Sequence, residues 1–237
     1  MATNPTPTLG RLKTLQAGFR RKRFKRVEAI ISTIVAEKGS CAVLDVGGRG
    51  DYWQMLSPSL RSKTDIEVMN YSAELVSYAA SPKDALRVSN VVGNACSMPQ
   101  YQDAQFDLVH SNSVIEHVTS YQNMMLFSEE VTRVGRFYYI QTPNYFFPID
   151  PHYAFPFIHW LPDNLKIRAL ASFKVGTAIT GGFADAMAEV DNCRMLGRWI
   201  FKRLFPDARH LREPFLGLFT KSLIAVGSRY EPCPRLD

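Results

Sequence analysis

The sequence predicts an α/β fold in which a mainly parallel sheet carries helices on both faces. Three observations carry that expectation. Short apolar runs such as residues 42–46 and 106–110 recur along the chain, continuous rather than alternating, as strands buried on both faces are. Helical patterns lie between several of them, the alternation that a parallel sheet requires. The first run ends directly in Gly47-Gly48-Arg49-Gly50, and a glycine turn after a first strand is where open sheets of this kind bind ligands.

Taken in order, residues 1–9 hold two prolines and no periodicity, so no element is expected there. Residues 11–37 read as helix, with Leu12, Leu15, Phe19, Val27, Ile30, Ile31 and Ile34 on one arc and Arg23 interrupting it. Strands are expected at 42–46, 66–69, 87–92, 106–110 and 137–140, with two more near 210–215 and 222–226, bringing the sheet to seven. Residues 121–134 read as helix, with Met125, Val131 and Val134 among its core positions. Residues 143–162, PNYFFPIDPHYAFPFIHWLP, crowd aromatics with prolines that block a continuous helix and a central strand. An irregular insertion is expected, its aromatics serving as core or as the wall of an acceptor pocket. Helical patterns return over 163–204, broken at Gly181-Gly182. The chain thus divides into a basic N-terminal arm and helix at 1–38 and a domain at 39–237 with the insertion at about 143–204.

Composition narrows the class. Of 237 residues, 46% are hydrophobic and 21% charged, values that exclude a disordered, collagen-like or fibrous chain. No apolar run reaches the roughly 18–20 residues that cross a bilayer, and the first residues lack the basic-then-apolar layout of a signal peptide. A cytoplasmic protein is expected. Cys41, Cys96, Cys193 and Cys233 include no pair with metal-ligand spacing, so no metal site and no disulfide framework are expected.

The net charge of +6 is unevenly placed. Eight basic groups and no acid fall within the first 26 residues, leaving 20 basic against 22 acidic groups in the rest. The body therefore lacks the basic footprint of a nucleic-acid binder. The arm reads first as a docked amphipathic helix with a solvated basic face, and second as a peripheral contact with an anionic membrane.

Residues 43–51, VLDVGGRGD, deliver Asp45 to the glycine turn. A dinucleotide fingerprint needs a third glycine three residues after Gly50, and Trp53 stands there, so nicotinamide and flavin are disfavoured. No Gly-Lys-Ser/Thr follows, which excludes a Walker loop. Asn70 closes the second strand, 20 residues after Gly50, where a polar side chain meets the ribose of a bound nucleoside. GNACSMP at 93–99 and SNSVIEHV at 111–118 follow. Successive strand ends thus carry small or polar groups, as one site on a sheet edge requires.

VLDVGGRG, GNACSMP, FDLVHSNSVIEHV and RFYYIQTPN together resemble the class I S-adenosylmethionine-dependent methyltransferases, type 11, over roughly residues 41–144. The resemblance implies a Rossmann-like seven-stranded sheet and S-adenosylmethionine as cofactor. It places Asp45, Gly47, Gly48 and Gly50 at the amino-acid end of the cofactor. Asn70 falls at the ribose, Asn94 and Ala95 at adenine, and Ser111 and Asn112 beside the sulfonium. Arg49, Asn70 and Asn94 depart from the usual glycine and acids. Asparagine keeps an acceptor oxygen without the strength of a charge. Proton removal from an acceptor falls to His117 or His152, each with a plainer reading: a helix-start residue bonded to backbone, and a packed structural histidine. The expected partner is a small-molecule, saccharide or lipid-linked acceptor. A binding protein on a decayed methyltransferase fold and a nucleic-acid methyltransferase are the alternatives.

Overall fold

The computed structural model describes residues 7–75, 86–178 and 182–232. Its sheet has seven strands in the order β3-β2-β1-β4-β5-β9-β8. These are β1 (Cys41–Val46), β2 (Thr64–Asn70), β3 (Arg87–Val92), β4 (Phe106–Asn112), β5 (Gly135–Pro143), β8 (Arg209–Phe215) and β9 (Phe219–Gly227). The first five run parallel, and β9 is antiparallel to both β5 and β8. The Rossmann-like fold expected from the sequence is the one observed. A separate two-stranded ribbon, β6 (Ile149–Asp150) with β7 (Phe155–Pro156), lies in the aromatic insertion.

Alternation along the strands divides the core. Val43, Leu108, Ile224 and Val226 face one side, where helix α1 (Pro7–Lys38) packs through Phe24, Val27, Ile30, Ile31, Ile34 and Val35. Leu44, Val109, Leu223 and Ala225 face the other. There they meet the helix Tyr121–Val134, here α3, and the helix Arg198–Leu204, here α6. The short helix Pro58–Arg61 is α2. Arg23, which breaks the apolar arc of α1, binds Glu213 on β8 at 2.8 Å, and both side chains are largely buried. Leu12 and Leu15 lie outside the residues whose side chains are described.

Helix α3 has the expected bounds, but Met125 is exposed. Its buried stripe is Met124, Phe127, Val131 and Val134, spacings of three and four whose centre lies roughly 140° round the helix from Met125. Residues 163–204 form the helix Asp163–Ser172 (α4), the helix Phe183–Asp191 (α5) and α6. Gly182 caps α5 with φ of 140°, and Gly181 lies outside the described residues. The insertion builds a third core from Tyr153, Ile158, Leu170, Val175, Ala186 and Val190. Its aromatics divide: Phe147 and Tyr153 are buried, whereas Phe146, Phe155, Phe157 and Trp160 are exposed. Among the described residues, no helix is long and apolar enough to cross a membrane.

Candidate functional site

Chain order reverses between β1 and β4, so the crevice beyond their carboxyl ends is the expected ligand position in this topology. Val46 at the end of β1 is register partner to both Met69 of β2 and Ser111 of β4, which brings three strand ends to one edge.

The glycine turn is held from below. Gly47 adopts φ of 68° and donates its N–H to Met69 O at 2.7 Å. A Cβ at Gly47 would meet Val114 Cγ2 at 2.5 Å, and one at Gly48 would meet Asp45 Oδ2 at 1.7 Å. Asp45 itself is fully buried. Its Oδ2 accepts from Trp53 Nε1 at 2.7 Å and its Oδ1 from His110 Nδ1 at 2.6 Å. Gly50 opens the 3-10 turn Gly50–Met55, which carries the buried Trp53. The residue standing where a dinucleotide fingerprint has its third glycine is thus an indole that anchors the turn.

Above the turn lies a cleft of about 720 Å3. Gly47, Gly48, Asn70, Gly93, Asn94, Ala95 and His117 line it, together with Arg49, Tyr71, Val114, Asn123 and Asn192. Asn70 Nδ2 donates to Gly48 O at 3.1 Å, tying the end of β2 to the turn and leaving Oδ1 as the remaining acceptor. Asn94 Oδ1 accepts from Cys96 N at 2.9 Å. Arg49 Nε donates to Asp51 Oδ1 at 3.2 Å. Asp45, Gly50, Ser111 and Asn112 do not line the cleft. Ser111 and Asn112 belong to β4 itself, and Ser111 Oγ donates to Val46 O at 3.1 Å. These four shape the edge from behind rather than forming its surface.

The cleft suits a nucleoside with a flexible tail. Its volume lies within the roughly 300–1,000 Å3 of small-molecule sites. Its floor is backbone at which a Cβ on Gly47 or Gly48 would collide with Val114 or Asp45, and its wall mixes apolar side chains with polar ones, Asn70 and Asn94 among them.

At one end the cleft meets a cluster that the sequence reading saw in part. His117 ends the 3-10 turn Ile115–His117, and its ring lies edge-on to that of His152 with centroids 5.0 Å apart. Cys193 Sγ is 3.4 Å from His152 Nδ1 and 3.6 Å from His152 Nε2. The segment carrying Cys193 runs beside the turn: Arg194 N donates to Glu116 O at 2.7 Å, and His117 Nδ1 donates to Asn192 O at 2.9 Å. His152 Nδ1 donates to Asp150 Oδ1 at 3.2 Å. Burial opposes ionisation of Asp150, but hydrogen bonds from His152 outweigh it and hold this carboxyl below its ordinary range. Burial likewise opposes the His152 imidazolium, yet Asp150 and Cys193 push its pKa up to about 10. Glu116 is fully buried; its Oε2 accepts from Thr142 Oγ1 at 2.9 Å and its Oε1 has no hydrogen-bond partner. Burial pushes the Glu116 carboxyl up. A helix cap is the plainer role for Glu116, but its side chain points to Thr142 of β5 instead. Spacing along the chain does not single out Cys193, because the three segments converge only on folding.

A second cavity, of about 390 Å3, adjoins the first at Ser113, which lines both. Arg20 and Arg23 of α1, Lys221 and Ser222 of β9, and Gln141 and Asn144 line it. Arg23 is ion-paired with Glu213, so the positive potential of this cavity comes mainly from Arg20 and Lys221.

With this geometry in hand, comparison with known proteins defines the class. Residues 44–136 match the family described as "Methyltransferase domain". Over that segment the chain is similar to this family, and S-adenosylmethionine is the cofactor that the match indicates. A search of curated proteins finds no match. Among solved structures, the CurJ carbon methyltransferase superposes with a TM-score of 0.50 at 11% identity, over 79% of this chain and 48% of that one. A methyltransferase from Methanosarcina mazei gives 0.47 at 15% identity, over 79% and 91%. One from Aquifex aeolicus gives 0.47 at 14%, over 78% and 81%. At 11% identity the likeness to the CurJ enzyme speaks to the fold alone.

Proposed function

We propose that the protein transfers a methyl group from S-adenosylmethionine to a small acceptor that carries an anionic group, such as a phosphorylated or carboxylated saccharide or a lipid-linked precursor. The observation that carries this reading is the pair of adjoining cavities. One is glycine-floored at the ends of β1, β2 and β4, the other is lined by Arg20, Arg23 and Lys221, and they meet at Ser113. The cofactor supplies an activated methyl group when bound. Gly47 and Gly48 would admit its amino-acid end, Asn70 Oδ1 would accept from the ribose, and Asn94 and Ala95 would flank adenine. The protein's work is alignment and exclusion of water. Ser113 would border the reacting centre, with Arg20 and Lys221 holding the anionic end of the acceptor. His117 would take up the acceptor's proton, and His152, whose pKa Asp150 and Cys193 push up to about 10, would stand beside it as an imidazolium. The exposed cations Arg21, Lys22 and Lys25 of α1 support peripheral contact with an anionic surface that presents a lipid-linked acceptor.

One observation favours a second reading, a binding protein without turnover: Asn70 and Asn94 spend part of their hydrogen-bonding capacity within the protein. The test is a labelled-methyl transfer assay against cell extract and against fractions enriched in anionic sugars and lipid precursors, followed by mass spectrometry. Incorporation into an anionic small molecule is expected and falls in R20A and K221A variants. Binding of S-adenosylmethionine without incorporation favours the second reading.

A further inference from the structure

We propose that His117, His152 and Cys193 form a binding site for one zinc ion at the end of the cofactor cleft. One ligand atom from each residue lies within 4.8 Å of the others. Two imidazoles and a thiolate form the donor set that borderline-soft divalent cations select, and three protein ligands with one open position is the arrangement of zinc sites that also bind a substrate atom.

The hydrogen bonds around the cluster fix its tautomers. Asn192 O can only accept, so His117 Nδ1 carries the hydrogen and Nε2 is left with its lone pair. Asp150 fixes His152 in the same sense through its Nδ1. A carbonyl or carboxylate bound to the distal ring nitrogen is the support that orients metal-ligating histidines. Geometry agrees: with Zn–S of about 2.3 Å and Zn–N of about 2.0–2.1 Å, the sulfur–nitrogen edge of a tetrahedral site is about 3.6 Å. Cys193 Sγ and His152 Nε2 are 3.6 Å apart.

Glu116, adjacent to His117, is fully buried with Oε1 unpartnered, so the turn that carries His117 holds a polar oxygen with no protein partner, which is costly. Zinc would clip together the turn after β4, the aromatic insertion and the segment after α5. The site rests on none of the methyl-transfer reading. In the loaded protein it turns His117 from a proton acceptor into a ligand.

The test uses the full chain stripped with a chelator and titrated calorimetrically with zinc chloride, with cobalt(II) as the spectroscopic probe. Saturable uptake of one zinc per chain is expected, and cobalt should give a near-ultraviolet thiolate-to-metal band. C193S should lose that band. H117A, at an exposed position, should weaken zinc by about tenfold or more, and D150N by about 10–100-fold, the range for losing a supporting partner. Absence of stoichiometric uptake, or equal affinity in the native chain, C193S and H117A, overturns the site. S-adenosylmethionine binding is measured on the same zinc-free samples. Loss of zinc binding alone counts against this site only, and loss of cofactor binding alone counts against methyl transfer only.

Discussion

Asp45 and His110 are register partners on β1 and β4, and their side chains meet at 2.6 Å beneath the glycine turn. The contact sits where chain order reverses in the sheet. His110 is stacked between Tyr52 and Tyr139, with centroids 4.9 and 5.9 Å away. Asp45 therefore organises the ligand edge without lining the cleft. D45A would leave the Trp53 and His110 donors buried without an acceptor, at about 1–3 kcal/mol each. Urea denaturation should show that loss, with weaker cofactor binding following from a slackened turn.

The turn itself gives a sharper test. A Cβ at Gly48 falls 1.7 Å from Asp45 Oδ2, so G48A must displace the carboxylate that holds Trp53. Overpacking of this kind costs about 1–3 kcal/mol. Thermal denaturation should register the destabilisation, and S-adenosylmethionine affinity should fall with it. G217A, at a glycine with open space around it, should leave cofactor affinity unchanged, although its φ of 71° costs some stability.

Asn70 combines two duties, and substitutions separate them. N70A removes the bond to Gly48 O and the acceptor proposed for the ribose, so cofactor affinity should drop by about the worth of one or two hydrogen bonds, roughly 5–50-fold. N70D restores the more usual acid but sets a carboxylate oxygen against the Gly48 carbonyl that the amide now serves. Calorimetry should show no gain in affinity for N70D over the native chain.

Acid sensitivity follows from Glu130. Arg133 Nε donates to its Oε1 at 2.7 Å, and Met98 N donates to its Oε2. The Arg133 hydrogen bond is the main cause that holds the Glu130 carboxyl below its ordinary range. A depressed folded pKa adds stability above the unfolded value of about 4.3, and that stability is lost as pH falls through the folded value. The native chain should lose stability below about pH 4–5, whereas E130Q should start about 1–2 kcal/mol lower at pH 7 and lose less on acidification. Urea midpoints across this range measure the difference.

Much of the fold was legible because buried parallel strands are written as largely apolar runs: residues 42–46, 66–69 and 106–110 fall inside observed strands, and 87–92, an edge strand with Arg87, Ser89 and Asn90, matches its expected bounds without such a run. The glycine turn was legible for the same local reason. Met125 was misread because one helical position separates it from the buried Met124. Asp45, Ser111 and Asn112 are expected from chain position to meet the cofactor, yet none of them lines the cleft; which atoms face it depends on strand pleat and on partners such as Trp53 and His110, distant in sequence. The meeting of His117, His152 and Cys193 was least legible. It depends on the insertion and the segment after α5 folding back onto the end of β4, which no local pattern encodes.

The central claim is that the edge formed by β1, β2 and β4 holds S-adenosylmethionine. Isothermal titration of the native chain with this cofactor tests it most directly. One saturable site per chain, competed by S-adenosylhomocysteine and weakened in G48A, is the predicted result. Absence of binding at millimolar cofactor, in a sample whose circular dichroism is that of a folded α/β protein, would contradict it.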